Sequence, residues 1–225
     1  MSFILNIETA TKNCSVSIAK NGETIFCKEI AEEGYSHAEK LHVFIEEVIA
    51  ESGITVQDLG AIAVSQGPGS YTGLRIGVSA AKGLCFALNI PLIAVDTLQT
   101  LASKANVSDG KIIPMLDARR MEVYSEIFNA DLEVERGIQA EIITEDSFAA
   151  YTEKLYFVGD CAEKCKPVLT KENFVFLEEI KYPSAREMSK ISFDKYQKSD
   201  TVDVAYFEPY YLKDFMMTQQ PSKKQ

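Results

Sequence analysis

The order of the predicted elements repeats once along the 225-residue chain, and that repeat limits the fold more than any other feature. Residues 3–7 are a short apolar run, and residues 14–19 alternate Cys14, Val16 and Ile18 against Ser15 and Ser17, the period of a strand with one apolar face. Asn21-Gly22, the dipeptide suited to a tight hairpin, turns the chain back into residues 23–30. The period then becomes helical. Leu41, Phe44, Ile45, Val48 and Ile49 make one stripe; Ser36-His37-Ala38-Glu39 has capping-box spacing ahead of it, and Gly53 can end it. A strand at 59–65, a helix at 71–88, a strand at 91–95 and a helix from Thr97 complete the first half. Beyond the polar break at 106–110, strands at 111–116, 121–128 and 136–143 precede a helix beginning near Thr144. A strand at 155–158, a segment at 160–166, a strand at 173–177 and a helix near 185–190 follow. Each half reads strand–strand–strand–helix–strand, which implies two similar α/β lobes, residues 1–106 and 107–225, with a cleft between them. The last residues are expected to fray or to cross back to the first lobe.

Composition removes several classes. Hydrophobic residues at 46% and charged residues at 25% are ordinary for a chain with a real core. Acids outnumber bases 33 to 23, a net charge of −10, which argues against a stand-alone nucleic-acid binder that must displace counterions from phosphates. The richest apolar stretch, 83–95, is broken by Asn89 and Pro91 and is too short to span a bilayer. The opening residues carry no basic leader, so a cytoplasmic protein without membrane contact is expected. Five scattered cysteines give no disulfide framework. Cys161 and Cys165 are four apart but lack two further zinc ligands nearby, and no metal site is expected.

The most informative run is Gln66-Gly67-Pro68-Gly69-Ser70-Tyr71-Thr72-Gly73-Leu74-Arg75. Glycines between a strand and a helix let backbones approach closely, and a helix N-terminus offers free N–H groups to an anion. A tight turn is the plainer reading, and the Gly-Lys-Ser/Thr ending of a Walker motif is missing. In the helix that follows, Gly73, Gly77, Ala80, Ala81 and Leu84 share one face. That small-residue stripe and the large one of Leu41–Ile49 either pack on the chain's own sheet or form an exposed docking pair. On the docking reading, Gly77→Arg breaks the pairing and leaves the fold intact. Glu8, Thr9 and Thr11 lie where the first strand ends, a place from which a carboxylate and hydroxyls can face a phosphate and its Mg²⁺ through water. Asp117-Ala118-Arg119-Arg120 holds the matching place in the second half, and Gly159-Asp160 is a third candidate loop. In a nucleotide-splitting fold an acid followed by glycines would stand there, so two arginines point instead to ion pairing at a lobe boundary. No serine–histidine–acid set can be placed.

These stretches carry a resemblance. The run from Ile4 to Thr11, Ser36-His37-Ala38-Glu39-Lys40-Leu41, the run from Gly67 to Gly77, Asp117-Ala118-Arg119 with Glu122-Val123-Tyr124, and Pro209-Tyr210-Tyr211-Leu212-Lys213 are similar to the TsaB (YeaZ) family. The resemblance implies the two-lobed actin/Hsp70-like ATPase fold, a ribonuclease H-like architecture with duplicated βββαβα halves. It implies a part in tRNA threonylcarbamoyladenosine modification, beside the homologous transferase TsaD and the ATPase TsaE. In that reaction the threonylcarbamoyl group passes from its adenylate to the adenosine beside the anticodon. TsaB is the non-catalytic partner, and the older label glycoprotease comes from its sibling. In TsaD-like siblings a His-x-x-x-His pair binds metal after the strand that follows the Gly-Pro-Gly helix; Thr97 and Leu101 stand there in this chain. Glu8 departs from the family's usual aspartate. The implied cleft, made of Glu8, Thr9, Thr11, Gly67, Gly69, Ser70, Asp117, Arg119, Gly159 and Asp160, is vestigial, with no catalytic or metal residues.

The expected role is a scaffold whose helix pair (Leu41, Phe44, Ile45, Val48, Ile49 with Gly73, Gly77, Ala80, Ala81, Leu84) docks on TsaD, or on a second copy when TsaD is absent. No cofactor is assigned to the chain itself; ATP or ADP with Mg²⁺ enters only at the complex boundary through partners, and tRNA only through the complex. The alternative is an actin-fold ATP-dependent hydrolase or a metalloprotease-like enzyme acting alone through Glu8, Asp117 and Gly159-Asp160. A direct tRNA reader is the third class, disfavoured by the acidic balance.

Overall fold

The computed structural model describes residues 2–31 and 37–212. Its strands form two five-stranded sheets of the same internal order. In the first, β1 (Phe3–Glu8), β2 (Asn13–Lys20) and β3 (Glu23–Ala31) make an antiparallel meander; β4 (Leu59–Gly67) and β5 (Leu92–Asp96) add in parallel beside β1, giving β3-β2-β1-β4-β5. The second repeats this with β6 (Lys111–Asp117), β7 (Glu122–Asn129) and β8 (Val134–Ile142) as the meander and β9 (Leu155–Val158) and β10 (Phe174–Phe176) parallel beside β6. That order and those directions, twice over, are the topology of the actin/Hsp70-like ATPase fold. The helices are α1 (His37–Glu51), α2 (Tyr71–Leu88), α3 (Thr97–Ala102), α4 (Ala162–Cys165) and α5 (Ala185–Gln197).

Strand alternation decides which helix covers which face. Leu5, Ile7, Cys14, Val16 and Ile18 point to the side covered by α1 and α2 and form one core with Leu41, Ile45, Val48 and Val78. The other face of the first sheet carries Ile4, Ala61, Ala63, Ile93 and Val95, and α5 from the far end of the chain packs Ala185 and Met188 on it. Polar residues dock this helix. Ser192 Oγ donates to Asn6 Oδ1 at 2.6 Å, Ser17 Oγ to the Ala185 carbonyl at 2.7 Å, and the Ala185 N–H to Ser15 Oγ at 2.9 Å. The exchange is mutual: α3, which follows the first sheet, packs Leu98, Leu101 and Ala102 on Ile112, Leu116, Phe128 and Val158 of the second. After α5, Val202 bridges Leu92, and residues 203–212 run back along α2, where Lys82 Nζ donates to the carbonyls of Ala205 (3.0 Å) and Phe207 (2.9 Å).

Two predicted elements change. No helix begins at Thr144; the N–H groups of Ser147, Ala149 and Tyr151 bond the carbonyls of Thr144, Asp146 and Phe148, a chain of turns. Phe148 sits at φ 61°, left-handed backbone that ends any helical run, while its ring packs 5.5 Å from that of Phe157. The last helix runs on past Lys190 to Gln197. Ser36 of the capping box and the tail from Lys213 lie outside the described residues. Among the described residues no helix is long and apolar enough to cross a membrane. The five cysteines are free, and Cys14, Cys85, Cys161 and Cys165 are buried as small apolar groups.

Candidate functional site

Stretches far apart in sequence meet at the β1–β2 connection, Thr9-Ala10-Thr11. A Cβ on Gly69 would lie 2.4 Å from the Ala10 carbonyl oxygen, one on Gly73 2.1 Å from the Thr9 carbonyl oxygen, and one on Gly77 2.2 Å from Thr9 Oγ1. Only residues without a side chain let α2 and its leading loop settle there. Thr9 Oγ1 donates to the Gly73 carbonyl at 2.8 Å, and the Ser70 N–H donates to the Ala10 carbonyl at 2.7 Å. His37, at the start of α1, is buried, and its Nε2 lies 2.7 Å from the Thr11 carbonyl oxygen, while burial lowers its pKa. Gly67, at φ 112°, would have its Cβ 2.6 Å from the Tyr210 carbonyl oxygen, and the Tyr210 N–H donates to Gln66 O at 2.7 Å.

This geometry corrects part of the docking expectation. Gly73 and Gly77 face Thr9 inside the chain, not an external helix, so an arginine at 77 disrupts the fold itself. Leu41, Ile45, Val48 and Ala81 are buried in the chain's own core. Phe44, Ile49, Ala80 and Leu84 are half-buried at its edge. There α1 and α2 leave a groove of about 490 Å³, lined by His42, Ile49, Ala50, Ile54, Val56 and Leu84. The sequence reading missed Val43 (46% exposed) and Phe86 (84% exposed), which stand one or two positions off the stripes on the outer faces of α1 and α2.

Several donors of the first-half loop are already taken within the chain. The N–H groups of Ser70 and Gly73 are taken by the Ala10 carbonyl and by Ser70 Oγ, and that of Gly67 by Thr97 Oγ1 at 3.2 Å. Glu8 is fully buried. Its Oε1 accepts from the Ala10 N–H at 2.6 Å and from Ser65 Oγ at 3.1 Å, its Oε2 has no partner among the described residues, and burial pushes its pKa up to about 7. Such a carboxyl closes on its own loop and is poorly placed to hold Mg²⁺ through water. Thr11 Oγ1 accepts from the Asn13 N–H at 3.3 Å. Two acids that the sequence reading passed over join Glu8 in the interior. Asp96 caps α3 through the N–H groups of Leu98 and Gln99 and is pushed by burial up to about 6. Glu126 on β7 is pushed by burial and then by Asp96 up to about 8. The readable signal was a lone acid inside the apolar run of β7. Among the described residues no three His, Cys, Asp or Glu side chains come together as metal ligands do.

The second-half residues do assemble. Asp160 Oδ1 accepts from the Asp117 N–H at 3.1 Å; burial raises the Asp160 pKa. Asp117 Oδ1 accepts from the Arg119 N–H at 2.8 Å and from Lys164, whose Nζ also donates to the carbonyls of Arg120 (2.7 Å) and Glu122 (3.3 Å). Gly159 is fixed at φ 120°, its missing Cβ only 1.9 Å from the Met115 carbonyl oxygen. Arg119 (φ 77°) and Arg120 (φ 55°) are both left-handed, and the Glu122 N–H donates to the Arg119 carbonyl at 3.2 Å, closing a turn centred on Arg120 and Met121. Each residue with a side chain costs about 1–2 kcal/mol there. Ion pairing at a lobe boundary, the role expected of these arginines, is not what is seen: neither guanidinium has an ion-pair partner among the described residues.

The doubled topology and the matched hairpin loops at the ends of β1 and β6 define the chain as a two-lobed protein of the actin/Hsp70-like ATPase class. A profile of the family described as tRNA N6-adenosine threonylcarbamoyltransferase matches residues 29–214. The chain is 31% identical over 222 residues to the tRNA threonylcarbamoyladenosine biosynthesis protein TsaB of Escherichia coli (strain K12), covering 94% of both. It is 38% identical over 108 residues to the tRNA N6-adenosine threonylcarbamoyltransferase of Bacillus subtilis (strain 168), 41% of this chain and 31% of that protein. The structure of YeaZ from Pseudomonas aeruginosa matches with a TM-score of 0.82 at 23% identity, over 94% of this chain and all 100% of the other. The chain belongs to the TsaB family of tRNA threonylcarbamoyladenosine biosynthesis proteins.

Proposed function

We propose that the chain is a non-catalytic scaffold subunit, required for threonylcarbamoyl transfer to the adenosine beside the anticodon of tRNA. It binds and supports a TsaD-type transferase, together with TsaE, in the cytoplasm. The observation that carries this reading is the half-buried apolar edge of α1 and α2, where Phe44, Ile49, Ala80 and Leu84 stand beside an open groove. The likeness to part of a transferase supports a pairing of equivalent helices, either with that partner or between two copies of this chain. A catalytic role finds no support in the cleft. Glu8 is turned onto its own loop, and Thr97 and Leu101, where the siblings' metal-binding histidines are expected, are buried. Thr97 Oγ1 accepts from the Gly67 N–H instead. On this reading ATP or ADP and Mg²⁺ belong to the boundary with the partners.

Size-exclusion chromatography with light scattering tests it, on the chain alone and mixed with the TsaD protein of the same organism. A homodimer replaced by a 1:1 species is expected. Failure to associate with TsaD, across salt and with TsaE and nucleotide present, refutes the scaffold; ATP turnover by the isolated chain that Glu8→Ala abolishes restores the enzyme reading.

A further inference from the structure

We infer that the hairpin tips at the mouth of the cleft, with Lys12 on the first sheet and Arg119 and Arg120 on the second, hold phosphates of an RNA backbone. The inference rests on the RNA-modifying reading above and adds a direct RNA contact by this chain. The two tips are equivalent points of the duplicated fold, one after β1 and one after β6. Lys12, Arg119 and Arg120 are all exposed. The Lys12 charge acts on Asp160, whose Oδ1 accepts at 3.1 Å from the Asp117 N–H at the base of the second tip.

Three observations separate this rim from the cleft behind it. The interior is acidic: Glu8 and Glu126 are buried, each with one carboxylate oxygen that has no partner among the described residues, and Asp96 stands between the sheets. These buried carboxyls offer an anion no positive charge, so the exposed cations at the edge are what can receive it. The acids at the rim are already engaged, Asp117 by Lys164 and the Arg119 N–H, and Asp160 by the Asp117 N–H. Arg119 and Arg120 meanwhile keep left-handed backbone that Asn or Gly adopts at less cost, so backbone conformation does not explain them. Exposed, unpaired cations on two projecting tips suit a long polyanion that crosses the opening, where a buried nucleotide would need donors inside it.

The test uses the complex of this chain with its transferase partner and an unmodified tRNA transcript, followed by fluorescence anisotropy over a salt series. Arg119→Asn/Arg120→Gly places residues that tolerate left-handed backbone at both positions, so Tm should hold or rise while binding weakens. The tRNA dissociation constant is expected to rise about ten-fold at low salt, and the slope of log affinity against log salt to become shallower by about 1.5. Lys12→Ala should shift both in the same direction. An affinity and slope that match wild type overturn the inference, as does a wild-type complex with no tRNA affinity. Millimolar ATP that displaces the tRNA from wild type but not from the double variant overturns the RNA assignment in favour of a nucleotide's phosphates. If the two chains do not associate, the scaffold reading fails instead, and the same titration on the chain alone decides the rim.

Discussion

Gly73 and Gly77 lie one helical turn apart, yet an added methyl group would strike different things. At Gly77 the obstacle is the Thr9 hydroxyl, a side-chain atom; at Gly73 it is the Thr9 carbonyl, which cannot be removed. Gly77→Ala should lower stability by about 1–3 kcal/mol through overpacking, and Thr9→Ala in the same chain should recover part of the loss. Gly73→Ala should be as damaging or worse, with no recovery in the Thr9→Ala background; denaturant titration of the four chains checks both. Asn6 makes a separate case. Its side chain is fully buried between β1 and α5, accepts from Ser192 and donates to Ser17 at 3.2 Å. Asn6→Ala should cost about 1–3 kcal/mol, since it leaves two buried hydroxyls short of a partner. The glycines were readable as sites of close approach, but what approaches them was not, because Thr9 is sixty-odd positions away and no local pattern names it.

At the scale of elements, period was legible wherever one face of a strand or helix is apolar. The meander, both bounds of α2 and the strand β9 follow from alternation, from Asn21-Gly22 and from the glycines at strand ends. The helix expected near Thr144 failed because Phe148 reaches the core from left-handed backbone, which ends a helical run whatever the spacing of the apolar residues. The length of α5 was hidden for a different reason. Its buried positions are Ala185, Met188, Ser189 and Ser192, small or polar residues that form no apolar stripe, while its outer face carries Arg186, Lys190, Asp194 and Lys195. The candidate docking surface was half legible. The stripe on α1 is real, but most of it serves the chain's own sheet, and only its edge remains. Because that edge is half-exposed, Leu84→Glu with Ile49→Glu should leave a folded monomer and abolish association with the partner. Circular dichroism and light scattering on one sample separate the two effects.

The two sheets meet over acids contributed by both, buried Glu8 and half-buried Asp96 from the first and buried Glu126 from the second. Burial raises their pKa values to about 7, 6 and 8, with Asp96 adding to the rise of Glu126 and of Glu8 and Arg136 opposing on the Glu126 side. An acid raised on folding contributes stability that is complete below its unfolded pKa and is lost as pH rises through the folded value. These groups should therefore make the protein less stable from about pH 4 up to about pH 8, seen as a falling Tm. Glu126→Gln should flatten the upper part of that fall. A profile unchanged by the substitution would show that Glu126 does not hold its proton in the folded state.

The exchange of α3 and α5 between the sheets also sets a schedule for synthesis. All five strands of the first sheet have been made by residue 96, but the helix that covers its second face ends at residue 197. At about 5–20 residues per second, that face waits on the order of 5–20 s on the ribosome. During this interval Ile4, Ala61, Ala63, Ile93 and Val95 have no cover from their own chain. A nascent chain halted after residue 106 should accordingly be held by chaperones and sensitive to protease, and one released after α5 has left the exit tunnel should be neither. The duplicated halves are thus born in sequence but mature together, each completed by a helix the other supplies.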